Sequence, residues 1–353
     1  MSKINYPVSM PDVLGKERDY LNNCIDTGWV SSQGNYVKET EEAFAKYMGR
    51  DYCTASSSGT TALTLALAAL RIGPGDEVIV PEFTMIASAW AVSYLGATPV
   101  FVDCGPDLNI DVDKIEEKIT SHTKVIMPVH VYGRLCDMER VMEIAKDYNV
   151  WVVEDACEAH GAKPSVEGHI QCYSLFANKI ISSGEGGLIT TNLDWWDWQI
   201  KHLRGMGFND AHTFYHPKQA FNYRMSNMQA AVAKAQIERI DYFLKGRERI
   251  CKRYDKHLKK YTLNRPKGSV LWMYDLLVPE GKRDKLMKYL ERKGIETRMF
   301  FKPMSMQGMY RGDYKKTLAY EVSKRGLYLP TYTQLTDVDI DYIAQEVLTF
   351  LNL

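Results

Sequence analysis

The chain has 353 residues, of which 45% are hydrophobic and 25% charged, as in an ordinary globular protein. Basic and acidic residues number 44 each, so the chain lacks the strong basic excess typical of nucleic-acid-binding proteins. The length is sufficient for one large domain and a smaller one, with a sizeable buried core.

In chain order, the first two-thirds of the sequence alternates between helix and strand signals. The stretch "GTTALTLALAALRIG" (59–73) predicts a buried helix closed by a glycine, and an amphipathic helix is expected at 137–149. Short apolar strands are expected at 76–81, 98–103, 124–130 and 150–156. Buried strands that alternate with helices indicate a largely parallel sheet covered on both faces.

Beyond residue 200 the pattern changes. A long polar and aromatic loop is expected around 200–225, and a single long helix at 225–261. The last part of the chain contains a strand signal at 269–279 and a helix signal at 282–294. We interpret this as a second, smaller domain.

The seven cysteines are scattered and form no C-x-x-C pair, so we expect buried thiols in a reducing compartment and no metal site. The first twenty residues lack the apolar core of a signal peptide. The longest uncharged stretch, 83–102, is broken near its end by Gly96 and Pro99. These features predict a cytoplasmic protein without a membrane segment.

Several polar features could form one site. Asp155 ends a predicted strand, where open parallel sheets bind ligands, although it could also cap the next helix. The stretch "SSSGTT" (56–61) leads into a helix whose free N–H groups favour phosphate, and its hydroxyls could add hydrogen bonds. Ser174 and Lys179 precede the glycine-rich turn "GEGG" (184–187). Lys179 alone could equally be a surface lysine with a packed stem.

Pyridoxal 5′-phosphate (PLP) requires this combination of groups. Its aldehyde needs a lysine, its ring nitrogen needs an acid, and its phosphate needs amides and hydroxyls. A carboxylate within about 4–6 Å of the ring nitrogen raises the pKa of that nitrogen by roughly 1–3 units. Neither a P-loop nor a dinucleotide-binding glycine motif is present. The combination therefore predicts a PLP site.

With these motifs the sequence resembles the fold-type-I nucleotide-sugar aminotransferases, in particular the perosamine- and viosamine-forming enzymes. The resemblance runs nearly end to end and rests on "SSGTTALTLALAALRIGPGDEVIVP", "GATPVFVD", "VVEDACEAHGA", "SLFANKIISSGEGGLITTN", "FNYRMSNMQAA", "GIETRMFFKP" and "RGLYLP". It implies an α/β fold like that of aspartate aminotransferase. Residues 1–245 would form a large PLP-binding domain with an N-terminal arm and a mostly parallel seven-stranded sheet, and residues 246–353 a smaller α/β domain.

The resemblance also implies roles for single residues. Lys179 would be the catalytic residue, forming the Schiff base with PLP and then moving a proton between the cofactor and the sugar. The other residues expected to bind the cofactor are Gly59, Thr60, Met85, Asp155, Glu158, Ser174 and Asn222. Gly59, Thr60 and Ser174 would bind the phosphate, Asp155 the ring nitrogen, and Glu158 would lie near the phenolic oxygen. Asn222 would reach the partner's cofactor in a homodimer with shared active sites.

Three residues are weaker candidates for substrate binding. Arg224 could bind the carboxylate of the amino donor or the sugar diphosphate, and His212 and His216 lie in the long loop. Met85 stands where relatives often carry an aromatic residue stacked on the ring, and Glu158 where they often carry glutamine.

Three further features are expected to be structural. His160 would pack beside the cofactor, and Tyr274 would lie in the core. "DWWDW" (194–198) would start a helix with packed indoles.

The implied reaction transfers an amino group, with glutamate as the expected donor, to C4 of a nucleotide-linked 4-keto-6-deoxyhexose. The product would be a 4-amino-4,6-dideoxyhexose of the viosamine or perosamine type. Related 3-dehydratases carry histidine in place of the lysine, so Lys179 favours amino transfer. A 3-aminotransferase or 3-dehydratase, and a PLP-binding regulator without turnover, are alternatives. The sequence leaves the nucleotide and the hexose epimer open.

Overall fold

The computed structural model describes residues 4–208 and 214–352. The α-helices are α1 (Glu17–Thr27), α2 (Asn35–Met48), α3 (Gly59–Ala69), α4 (Ile86–Tyr94), α5 (Met138–Asp147), α6 (Asp194–Arg204), α7 (Asn227–Ile237), α8 (Ile240–Leu258), α9 (Arg283–Arg292), α10 (Leu318–Arg325) and α11 (Asp337–Leu351). The strands are β1 (Tyr52–Ser56), β2 (Glu77–Pro81), β3 (Thr98–Val102), β4 (Thr123–Ile126), β5 (Trp151–Asp155), β6 (Ile170–Ser174), β7 (Gly187–Thr191), β8 (Tyr274–Leu277), β9 (Arg298–Met299) and β10 (Gly326–Leu329).

Seven of these strands form one sheet in the order β1-β7-β6-β5-β4-β2-β3. The neighbouring strands β6, β5, β4, β2 and β3 pair in parallel, whereas β7 runs antiparallel to both β6 and β1. The predicted seven-stranded, mostly parallel sheet is therefore confirmed.

Both faces of the large sheet are buried. In β2, Val78 and Val80 belong to a hydrophobic cluster that also contains α3, whereas Ile79 belongs to a second cluster that contains α5. Side chains alternate between the two faces of a strand, so this division places one helix layer on each face. Because neither face of the sheet meets water, a strand such as β2 is an apolar run that does not alternate between apolar and polar residues.

A second sheet, β8-β10-β9, is antiparallel and has a hydrophobic cluster of its own with side chains from α8, α9 and α11. The N-terminal arm attaches to this region, because Tyr6 pairs with Ile295 and the Thr331 amide donates to the Val8 carbonyl. A domain boundary at residues 245–246 would fall inside α8 and stays a prediction.

Two helix predictions need correction. The helix expected at 59–73 ends at Ala69, because Arg71 adopts a left-handed φ of 61° and closes the helix before Gly73. The single helix expected at 225–261 is two helices, α7 and α8, separated near Arg239, whose φ of −114° is not helical. The Arg239 guanidinium lies 3.0 Å from the Asp12 carboxylate in the N-terminal arm. That long-range contact fixes the geometry at the break.

Two further predictions hold only in part. The strand expected at 269–279 is limited to β8, because the amide of Val270 donates to the Gly133 carbonyl instead of to a strand. The strand expected at 124–130 ends at Ile126, shortly before Pro128, which has no amide to donate. The helix at 194 begins as predicted.

The indoles of that helix were expected to be packed. Trp196 is packed edge-on against Trp151, but Trp195 and Trp198 are 54% and 49% exposed and stack on each other. The prediction of packed indoles is thus wrong for two of the three. Within the described ranges, none of the helices combines the length and apolar character that a bilayer crossing requires.

Candidate active site

A cavity of about 410 Å³ lies where the carboxyl ends of β5 and β6 meet the start of α3. Parallel sheets gather ligands at such strand ends. The predicted residues that line it are Gly59, Thr60, Met85, Asp155, Glu158, Ser174 and Lys179. The structure therefore brings together seven of the eight residues expected to bind the cofactor.

The start of α3 combines a capping box with two backbone amides that point to no protein acceptor among the described residues. Ser58 and Thr61 form a capping box, in which the Ser58 hydroxyl accepts from the Thr61 amide at 3.1 Å. These two hydroxyls stabilise the helix end, and Ser58 also lines the cavity, so a contribution of the hydroxyls to ligand binding stays a prediction. The amides of Gly59 and Thr60 make no hydrogen bond within the described part of the chain, and both remain available to a phosphate.

Two glycines allow this close packing. A Cβ on Gly59 would lie 2.7 Å from the Ser174 Cβ, so only glycine lets the helix start approach β6 so closely. A Cβ on Gly187 would lie 2.2 Å from the carbonyl oxygen of Ser58, so β7 lies directly against the residue that caps α3. In the turn between β6 and β7, Gly184 has a φ of +83°, as the glycine-rich sequence predicts.

Asp155 is buried at the end of β5 and its carboxylate is held at both oxygens. The Ser88 hydroxyl donates to Oδ2 at 2.7 Å, and the Cys157 amide donates to Oδ1 at 3.1 Å. The carboxylate therefore closes a short turn instead of capping a helix. It lines the cavity as a fixed acceptor for a cationic N–H group.

Lys179 and Glu158 lie side by side in the lining of the cavity. The Lys179 ammonium lies 3.5 Å from Glu158 Oε1, and its side chain is only 11% exposed. The alternative of a solvated surface lysine is thus wrong. Burial raises the pKa of Glu158, although the Lys179 ammonium and the Tyr132 amide, which donates at 2.8 Å, oppose that effect.

An aromatic wall completes the cavity. It consists of Trp272, Phe301 and Tyr328, which all come from the last third of the chain. Sequence reasoning assigned none of them to the site, because their segments look like ordinary core strands and loops. The available signal was that two of them lie in segments that carried the family resemblance, "GIETRMFFKP" and "RGLYLP".

Three of the remaining candidates do not line this cavity. Asn222 forms a β-bridge with Gly205, and Arg224 lines a separate cavity of about 410 Å³ that also includes Arg204. His216 is exposed, with its Nδ1 2.8 Å from the Met206 carbonyl. His212 lies outside the described residues.

His160 and Tyr274 fit the packing roles expected of them. His160 is fully buried beside the Tyr173 ring and does not line the cavity. Burial, with a smaller contribution from the Lys179 charge, lowers the pKa of His160 to about 3, so its ring is neutral near pH 7. Tyr274 is buried and donates to Asp255 at 2.8 Å.

These groups fit the chemical requirements of PLP. Two free amides and Ser174 can bind a phosphate, Asp155 can bind a ring N–H, and a buried amine can react with an aldehyde. In the ranges that the structure describes, no group of three or more His, Cys, Asp or Glu side chains is arranged to hold a metal ion.

Comparison with known proteins leads to the same class. Residues 11–348 match the model of the DegT/DnrJ/EryC1/StrS aminotransferase family. The chain is 45% identical to a GDP-perosamine synthase of Caulobacter vibrioides over 95% of both chains. It is 39% identical to a GDP-perosamine synthase of Escherichia coli O157:H7 over 98% of both.

A solved structure supports the fold and the kind of cofactor. The PLP form of the putative sugar aminotransferase Spr1654 from Streptococcus pneumoniae superimposes with a TM-score of 0.91 at 27% identity, over 99% of both chains. The same protein is also known in a PMP form. The predicted resemblance, fold and enzyme class are confirmed, and the chain belongs to the DegT/DnrJ/EryC1/StrS aminotransferase family.

Proposed function

We propose that the protein is a PLP-dependent aminotransferase that moves an amino group from L-glutamate to C4 of a GDP-linked 4-keto-6-deoxyhexose, giving GDP-perosamine. The observation that carries the proposal is the convergence of the Lys179 amine, the Asp155 carboxylate and the free amides of α3 on one cavity. The names of the two relatives, at 45% and 39% identity, support the nucleotide and the product.

The cofactor would be held at three points. The amides of Gly59 and Thr60 and the Ser174 hydroxyl would bind the phosphate, and Asp155 would hold a proton on the ring nitrogen. Met85 would lie against the ring. When bound, PLP supplies an aldehyde for amines and a ring that stabilises negative charge on the attached carbon.

Lys179 would move the protons. Among the described residues that line the cavity it is the only amine, and its ammonium lies 3.5 Å from Glu158 Oε1. A lysine so placed can take a proton from the donor carbon and return one to the sugar carbon. The aromatic wall would exclude water and thereby strengthen the electrostatic interactions inside the cavity.

We also propose that the enzyme is a homodimer in which Asn222 and Arg224 complete the partner's site. Supporting this, neither residue lines the cavity of its own chain. Mixing inactive Lys179→Ala and Asn222→Ala subunits tests the idea, because a mixed dimer with shared sites keeps one intact site. Activity that stays absent after confirmed subunit exchange would rule out sharing through Asn222.

A cytoplasmic location is part of the proposal. All seven cysteines are free thiols in the structure, and five of them are buried. Unpaired cysteines fit a reducing compartment. Localisation of a tagged protein by cell fractionation tests this.

The reaction is tested with the purified protein, PLP, L-glutamate and the 4-keto-6-deoxy sugar derived from GDP-mannose. We expect an amino sugar nucleotide by mass spectrometry, with nitrogen at C4 by NMR, and no product with Lys179→Ala. Nitrogen at C3 would instead identify a 3-aminotransferase. Binding of PLP without conversion of PLP to its amine form by any amino acid would support the regulator alternative.

A further inference from the structure

Trp272 contacts Lys179 in two different ways. The ammonium of Lys179 lies 4.2 Å from the centroid of the Trp272 ring. The indole N–H donates to the main-chain carbonyl of Asn178, the residue before the lysine, at 2.8 Å. One side chain therefore holds both the charged end of Lys179 and the turn that carries it.

The contact with the ring matters because Glu158 holds the ammonium only loosely. The distance of 3.5 Å between the ammonium and Glu158 Oε1 is long for a charge-assisted hydrogen bond, which is normally about 2.7–2.9 Å. A cation over the face of an indole is a favourable arrangement, and more so where water is excluded. Here both the ring and the ammonium are largely buried.

Trp272 is itself held rigidly. Its carbonyl accepts a hydrogen bond from the Arg247 guanidinium, and its amide lies 3.5 Å from the Tyr132 carbonyl. Its ring also packs against the rings of Tyr132 and Tyr328. A side chain fixed at both the backbone and the ring can fix its neighbour in turn.

We propose that Trp272 is a positioning residue for Lys179, which orients the amine through the ring face and the turn through the indole N–H. The inference rests on the proposed role of Lys179, in which the amine nitrogen bonds to the aldehyde carbon of PLP and one water is released. In this arrangement a residue from the region after α8 orients a lysine in the turn after β6.

The test compares two variants with a matched control. Trp272→Phe keeps a ring face but removes the N–H donor, and Trp272→Leu removes both. Trp196→Phe is the control, since Trp196 is also buried but packs against Trp151, away from the cavity. The readouts are the rate at which PLP becomes attached to cofactor-free protein, followed by absorbance, and borohydride trapping with peptide mapping. Thermal unfolding and the separate values of kcat and KM complete the set.

We expect attachment of PLP to slow by about 2- to 10-fold in Trp272→Phe, from loss of one hydrogen bond. In Trp272→Leu it should slow by about 10- to 100-fold, since the ring face that orients the amine is lost as well. For both variants kcat should fall more than KM rises, while Trp196→Phe reacts like the wild type.

Wild-type rates in Trp272→Leu, or equal slowing in Trp196→Phe, would overturn the inference. If Trp272→Leu does not fold, the comparison of Trp272→Phe with Trp196→Phe decides. Wild-type protein that is not trapped at Lys179 would overturn the proposed function together with this inference. Trapping at Lys179 with indifferent Trp272 variants would overturn this inference alone.

Discussion

Replacing Gly59 by alanine should weaken cofactor binding specifically at the phosphate. The added Cβ would lie 2.7 Å from the Ser174 Cβ and 3.1 Å from the Cys157 sulfur. Carbon atoms normally pack at about 3.5–4.0 Å, so the helix start or β6 must move by roughly 1 Å. The Ser174 Cβ is fixed by the main chain of β6 and cannot swing aside, whereas the Cys157 sulfur can rotate, so the contact with Ser174 decides the cost.

Overpacking of this kind costs about 1–3 kcal/mol. Expressed as binding, that cost corresponds to an affinity for PLP that is about 5- to 150-fold lower. The displaced groups are the Gly59 and Thr60 amides and the Ser174 hydroxyl, which all face the expected phosphate position. Affinity for pyridoxal, which has the same ring and aldehyde but no phosphate, should therefore change much less.

The measurement is the dissociation constant of PLP and of pyridoxal, obtained by titration of the cofactor-free protein. Gly73→Ala is the control, because a Cβ at Gly73 would meet nothing within 4 Å. Binding of PLP by Gly59→Ala as tight as by the wild type would contradict this prediction. An equal fall in the affinities for PLP and pyridoxal would contradict it as well.

Three other substitutions probe separate parts of the site. Asp155→Asn should bind PLP but react with glutamate about 10- to 1000-fold more slowly. Without the carboxylate, the pKa of the ring nitrogen falls by roughly 1–3 units, so less of the ring is protonated. A half-reaction at the wild-type rate would contradict this. Met85→Phe should bind PLP about 2- to 10-fold more tightly through ring stacking, and an unchanged or weaker affinity by titration argues against it. His160→Phe should reduce acid sensitivity. The folded pKa of His160 is about 3 against 6.5 for free histidine, so its stabilising contribution is complete above pH 6.5 and declines as the pH falls towards 3. Between pH 7 and 4 the variant should lose about 3 kcal/mol less unfolding free energy than the wild type, measured with urea, and equal losses contradict the idea.

Much of the site could be predicted because its residues stand in short segments that fix their own geometry. Asp155 ends a strand, Gly59 starts a helix, and Lys179 lies in a turn just after β6. The sheet then gathers these strand ends at one edge, whatever the distance between them in sequence. The same local signals predicted β2 and β3 to within a residue.

What could not be predicted depends on contacts between distant segments. The position of Trp272 over Lys179 requires the region after α8 to fold back onto the large sheet. The break between α7 and α8 accompanies the contact of Arg239 with Asp12, which no local pattern contains. The capping box of Ser58 and Thr61 also could not be foreseen, because a helix end and a ligand can use the same hydroxyls.

The contact of β7 with the cap of α3 joins segments that are synthesised far apart in time. Residues 56 and 59 leave the ribosome early, but their backing strand begins only at Gly187, and Trp272 emerges later still. The cavity proposed to hold PLP is consequently complete only after most of the polypeptide has been translated. Because a ligand stabilises only the state that binds it, PLP would stabilise the full-length protein against unfolding but not truncated chains.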